Sequence, residues 1–293
     1  MFTQLTRSRL FPLCVLLTAM ISIQSGASLA KQIFPVFGPE GTTALRLLFA
    51  SLMLLAFWRP SLRMSTRDAF SIIVYGAAMG CMNLMFYMAL VRIPLGIAVA
   101  LEFTGPLFIA FASLRSARDC LWIALAIIGI VLLLPLTRLS APLDPLGAVL
   151  ALAAGACWAL YIIFGKKAGH STHGGTVTAL GMLVAALLVF PVGLWQCGAA
   201  LWTPAMLPLA LGVGLMSSAI PYSLEMIALK RLHAQAFSIL MSMEPAIATL
   251  AGLVYLHEHI ALLQCLAIGC VMAASAGSAL CAHTETATPE VTA

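Results

Sequence analysis

Charge is what this sequence has least of. Asp, Glu, Lys and Arg make up 9% of its 293 residues, against about 25% in an ordinary soluble domain. A water-soluble globule with a charged surface is therefore excluded. Several chemistries are missing too. No GxxxxGK[ST] loop is present to cradle nucleotide phosphates, so ATP is not the immediate energy source. An intramembrane lipid-modifying enzyme would need a nucleophile–base pair or clustered metal-binding acids, and no GxSxG, HExxH or DDxxD pattern occurs. The eight cysteines show no CxxC spacing and fall within or beside apolar stretches. They read as small hydrophobes, neither a disulfide framework nor a zinc site. His170 with His173, and the run His257-Glu258-His259, lack a third ligand and read as loop histidines. Neither a metal nor a cofactor is expected.

What the chain does have is apolar length. Hydrophobic residues make up 62% and the mean hydropathy is +1.06. Apolar runs separated by short polar breaks cover 10–30, 40–58, 69–90, 95–114, 119–136, 146–165, 174–196, 205–229, 234–255 and 259–281. A hydrocarbon core roughly 30 Å thick takes about 20 helical residues to cross. Only helices or closed barrels satisfy the backbone there, and barrel strands would alternate polar with apolar, which these runs do not. The expectation is an all-α membrane protein of ten transmembrane helices, with the lipid bilayer as its main partner.

The net charge of +5 does not signal nucleic acid, because the basic residues are sorted by loop. With a cytoplasmic N-terminus, the inside segments hold Arg7, Arg9, Arg59, Arg63, Arg67, Arg115, Arg118, Lys166, Lys167, Lys230 and Arg231. The outside loops hold only Lys31, Arg92 and Arg138. Short loops are where the positive-inside rule works, so both termini are expected in the cytoplasm. Arg7, Arg9 and the small residues 27–30 mimic a cleavable signal peptide. The length of the apolar run, and its counterpart at 146–165, favour retention as a span.

Ten runs divide as five plus five. Shifting the chain by 139 residues sets Ala89-Leu90 on Ala228-Leu229, Arg92 on Arg231, Pro106 on Pro245 and Asp119 on Glu258. An odd number of spans per half makes the second copy enter from the opposite side, giving inverted repeats of the kind that build many secondary transporters. The expected units are 1–140, 141–281 and a short polar cytoplasmic tail, 282–293.

The passages 24–31, 43–47, 94–106, 154–159, 221–229 and 240–246 carry a resemblance. Together they resemble the drug/metabolite transporter superfamily, in its ten-helix branch of two EamA-type repeats. Within it they are most similar to exporters of the threonine/homoserine type in bacterial inner membranes. The resemblance implies outward transport of a small amino acid and coupling to protons; broader metabolite or drug export is the alternative within the superfamily.

Four ionisable residues lie inside runs: Arg46, Glu102, Glu225 and Glu244. Each costs about 2.5–3.5 kcal/mol to insert and by default marks a pathway; the bland alternative is a lock between helices. Pro106 leaves the Glu102 carbonyl without its helical donor, and Pro245 does the same for Met241, one turn before Glu244. Backbone freed at membrane depth is tolerated where it faces protein or a water-filled cavity. Arg46 could meet a substrate carboxylate, and Glu102, Glu225 or Glu244 its ammonium or a coupling proton. Tyr222 and Ser218 share a helical face with Glu225. Gln24 with Ser28, Asn83 with Tyr87, and Trp158 with Tyr161 are paired one turn apart as further cavity candidates, though such residues also serve as packing glue.

Overall fold

The computed structural model describes residues 11–112, 119–133, 143–229 and 240–286. Among them there is no strand; the regular structure is helical. Helix α1 (Phe11–Trp58) has 48 residues, about 72 Å at 1.5 Å per residue and far more than one crossing needs. It is two segments meeting at Gly38, whose φ of 61° and ψ of 174° only glycine adopts without strain. Pro39 follows, where its missing N–H falls in the first turn of the second segment and costs nothing. Thr42 and Thr43 hydroxyls donate to the Gly38 and Pro39 carbonyls at 2.7 and 2.6 Å. The first two apolar runs thus join end to end through a glycine–proline corner.

Helix α2 (Thr66–Leu90) starts from Ser65, which accepts from the Asp68 N–H and donates to the Asp68 carboxylate, a reciprocal cap. The run expected at 95–114 is broken, giving α3 (Leu95–Glu102) and α4 (Thr104–Ala112) on either side of Phe103. Helix α5 (Asp119–Leu133) precedes α6 (Pro145–Ser171), which Asp144 caps by accepting from the Leu146 and Gly147 N–H groups. Helix α7 (Gly174–Cys197) ends at Gly198, φ 53°. The eighth run comprises α8 (Leu207–Gly214), a π-helical turn Leu215–Ala219, and α9 (Ile220–Leu229). Helices α10 (Glu244–Leu256) and α11 (Leu262–Thr286) complete the described residues. The first part of the ninth run, 234–239, lies outside them. Five helical stretches among the described residues are long and apolar enough to cross a membrane: α1, α2, most of α6, α7, and the α8–α9 stretch; the apolar parts of the others, such as Leu262–Gly277 of α11, are shorter.

Neighbours in space come mostly from opposite halves of the chain. Helix α2 packs on α6, α1 on α7 and on the α8–π–α9 stretch, α3 on α10, and α5 on α11. Small residues permit the approach: a Cβ on Gly76 would strike the Gly181 carbonyl, and one on Gly105 the Gly155 carbonyl. With lipid as apolar as leucine, such close packing, rather than flight from water, joins membrane helices. Polarity is arranged accordingly. Gln24, Arg46, Asn83, Glu102 and Glu244 are buried, while Trp195, Phe57 and Phe108 are exposed to the surroundings at 89%, 72% and 70%.

Candidate functional site

Arg46 reaches across the two halves to the π turn. Its Nε donates to Ser218 Oγ at 2.9 Å and its Nη2 to the Ser217 carbonyl at 2.8 Å, and its guanidinium lies 5.0 Å from the centre of the Tyr87 ring. The reason is local. Pro221 supplies no N–H, so the carbonyl four residues back (Ser217) loses its α-helical donor, and the one five back (Met216) loses its π-helical donor. Arg46 takes the first, and Ser22 Oγ donates to the second at 2.7 Å. Gly26 lets α1 come this close, since a Cβ there would sit against Ser217. Of the five guanidinium donors, two are engaged in these bonds.

The buried acids gather around that junction. Glu244, in the first turn of α10, accepts from Gln24 Nε2 through Oε1 at 3.2 Å. Its Oε2 is buried without a hydrogen-bond partner, as is the Tyr87 hydroxyl. Glu102, the last residue of α3, is close enough to feel the charges of Glu244 and Arg46. Half-buried Glu225 on α9 is in electrostatic range of Glu244 and of Tyr75, Tyr161 and Tyr222. Pro106 does free the Glu102 carbonyl, and that oxygen lies against Gly155 of α6, where any side chain would collide with it. Pro245 stands in the corresponding place, in the first turn of α10 just after the break at Ser242, and its missing N–H leaves the Met241 carbonyl without an α-helical donor.

The cavity candidates divide. Gln24 and Tyr87 belong to the polar cluster, and Ser28 is bonded within its own helix to the Gln24 carbonyl at 2.9 Å. Asn83 likewise donates to the Met79 carbonyl of its own helix at 2.8 Å. Trp158 stands edge-on to Phe103, with ring centres 5.6 Å apart, at the α3–α4 break. Tyr161 stacks on Tyr75 at 4.6 Å. An open cleft of about 730 Å³ between α2 and α6 is lined by Arg67, Asp68 and Lys167, and none of the buried acids borders it. Sequence reasoning missed Ser22, Ser217 and the pair Lys31–Glu258, joined at 2.6 Å. Pro221 was the one available pointer to Ser217; nothing local marks the other three.

The family model described as the EamA-like transporter family matches residues 145–280. The threonine/homoserine exporter RhtA of Escherichia coli (strain K12) is 48% identical over 281 residues, covering 96% of this chain and 95% of that protein. The exporter of the same name from Salmonella typhimurium (strain LT2) is 50% identical over 275 residues, 94% of this chain and 93% of its own. An uncharacterized transporter of Archaeoglobus fulgidus is 28% identical over 162 residues, 54% and 56% of the two chains. A solved crystal structure superposes with a TM-score of 0.63 at 18% identity, covering 94% of this chain and 99% of the other; that likeness is one of fold.

Proposed function

The chain belongs to the EamA-like transporter family, and from that premise we propose that it exports small amino acids of the threonine/homoserine type across a bacterial inner membrane. The observation that carries the cargo is the 48–50% identity to the two exporters of that name over nearly the whole chain. The buried cluster has the chemistry such a cargo needs. A zwitterion presents one cation and one anion, and the cluster holds three carboxyls and a single guanidinium. Buried charge is tolerated only when compensated, so the cluster is complete when it takes up an ammonium group, a proton or both. The open Oε2 of Glu244 receives the ammonium, the unused Arg46 donors receive the carboxylate, and a second glutamate carries the coupling proton.

Transport runs by alternating access between two inverted five-helix halves, 1–140 and 141–281, with both termini cytoplasmic. Two features support that architecture. The helix breaks at Phe103 and Ser242 are related by the same 139-residue shift that superposes Pro106 on Pro245. The packing is also unchanged by the exchange: the shift carries α2 onto the α8–α9 stretch and α6 back onto the start of α1. The α2–α6 pair thereby becomes the α1–α9 pair, while α5–α11 maps onto itself.

Threonine uptake into inside-out vesicles, with and without an imposed proton gradient, tests the reading. Gradient-dependent accumulation is expected, with threonine methyl ester a poor substrate because it leaves one buried charge unpaired. Vesicles that ignore threonine and accumulate hydrophobic cations would replace the amino-acid reading with drug export. For the topology, reporters fused after Lys167 and Ala293 should register the cytoplasm and one after Ala200 the periplasm.

A further inference from the structure

We propose that Glu258 and Lys31 form the outer latch of the transport path, a pair whose rupture admits the outside medium to the buried polar cluster. The assignment rests on the transporter reading and topology above, which put the ends of α2 and α10 on the outer side.

Lys31 Nζ donates to Glu258 Oε1 at 2.6 Å, and the Leu95 N–H donates to Glu258 Oε2 at 2.8 Å. One carboxylate therefore ties together α1, the start of α3 and the end of α10. These three helices also carry Gln24, Glu102 and Glu244. Lys31 is seven residues from Gln24, and Leu95 seven from Glu102; that is two helical turns, about 10 Å along each axis and back on the same face. The latch thus closes the same helix junction that holds the acids, two turns further out.

The carboxylate is also firmly placed. Helix α10 ends at His257 in the left-handed region, φ 51°, and the Glu258 N–H returns to the Gly252 carbonyl at 3.1 Å. Gly252 leaves the space that the carboxylate fills. The N-terminal dipole of α3 adds to its attraction there. The Glu258 side chain is 10% exposed and that of Lys31 25%, against 34% and 42% for the Asp144–Arg92 pair. Partial desolvation makes the first pair the stronger tie. Outward opening parts α1 from α3 and α10, and so breaks the pair and uncaps α3 in one event.

The test places a cysteine at Ser28, one turn from Gln24 and buried, and measures its labelling in intact cells by a membrane-impermeant methanethiosulfonate. Labelling of the same protein without the added cysteine is subtracted. Lys31→Met removes the cation; Glu258→Gln removes the charge but leaves an oxygen for the Leu95 N–H. Each is expected to speed labelling about fivefold by shifting the population towards the outward-open form, and the double variant no further. Ala27→Cys gives a second site of attachment should Ser28→Cys fail to insert. Labelling rates in either single variant within about twofold of the intact pair, or effects that multiply in the double variant, would overturn the latch. Threonine efflux measured on the same cells separates the two readings. Faster labelling without threonine export in any variant or the parent keeps the latch and removes the cargo; export with unchanged labelling does the reverse.

Discussion

The two interrupted helices that carry the buried acids stand in matching places but are built differently. In the first half, Glu102 closes α3 and its carbonyl, freed by Pro106, rests against Gly155. In the second, Glu244 opens α10, its Oε1 held by Gln24, with Pro245 in the first turn. A helix dipole opposes negative charge at its C-terminus and supports it at its N-terminus. The same break therefore offers a well-anchored carboxylate in one half and a poorly supported one in the other. On the proposed reading, that difference suits an asymmetric cargo with one amine and one carboxylate.

The sharpest way to break that comparison is charge removal. Glu244→Gln is expected to lower threonine efflux more than tenfold at matched protein level, about 1.4 kcal/mol or more in the transport barrier, and Glu102→Gln less. Equal losses, or none, in vesicle assays would erase the distinction between the two acids. Next is the backbone contact. Gly155→Ala drives a Cβ into the Glu102 carbonyl and should destabilise the purified protein by about 1–3 kcal/mol, read as a lower melting temperature in detergent. The residue reached from Gly155 by the 139-residue shift is Leu16, so this tight approach belongs to the first half alone.

The prolines give a smaller contrast. Pro106→Ala restores a donor to the Glu102 carbonyl, which packs on Gly155, and should cut efflux severalfold, whereas Pro245→Ala restores one to the Met241 carbonyl and should cut it less. Comparable effects in a transport assay would mean that both breaks depend on their prolines. Least is expected from the exposed pair Arg92–Asp144. The Arg92 guanidinium holds the Asp144 carboxyl below its ordinary value of 3.8. Its contribution is then complete above that value and lost only as the pH falls through the lower, folded-state one. Arg92→Gln should therefore lower the melting temperature only slightly at neutral pH, because the pair is exposed. The difference from the parent should vanish in strong acid, where Asp144 is protonated in both; a large drop at neutral pH would show the pair to be more than a surface contact.

Membrane character, the apolar segments and the identity of the buried charges were legible in the sequence because each is a local property. Twenty apolar residues, a proline four positions after an acid, or an arginine amid leucines can be read without knowing any neighbour. The corner at Gly38 was legible too, since Gly38-Pro39 falls in the break between the apolar runs 10–30 and 40–58, where the structure divides α1 into two segments.

The sequence by itself determined that the chain must bury its backbone in helices, and that Arg46, Glu102, Glu225 and Glu244 would have to find company inside the bilayer. Which company only the tertiary structure decided. Gln24 meets Glu244 across 220 residues, Lys31 meets Glu258 across 227, and Arg46 meets Ser217 across 171. No periodicity encodes such pairings, because they depend on how close glycine-lined helices from the two halves can approach, and that distance is a property of packing rather than of any one segment.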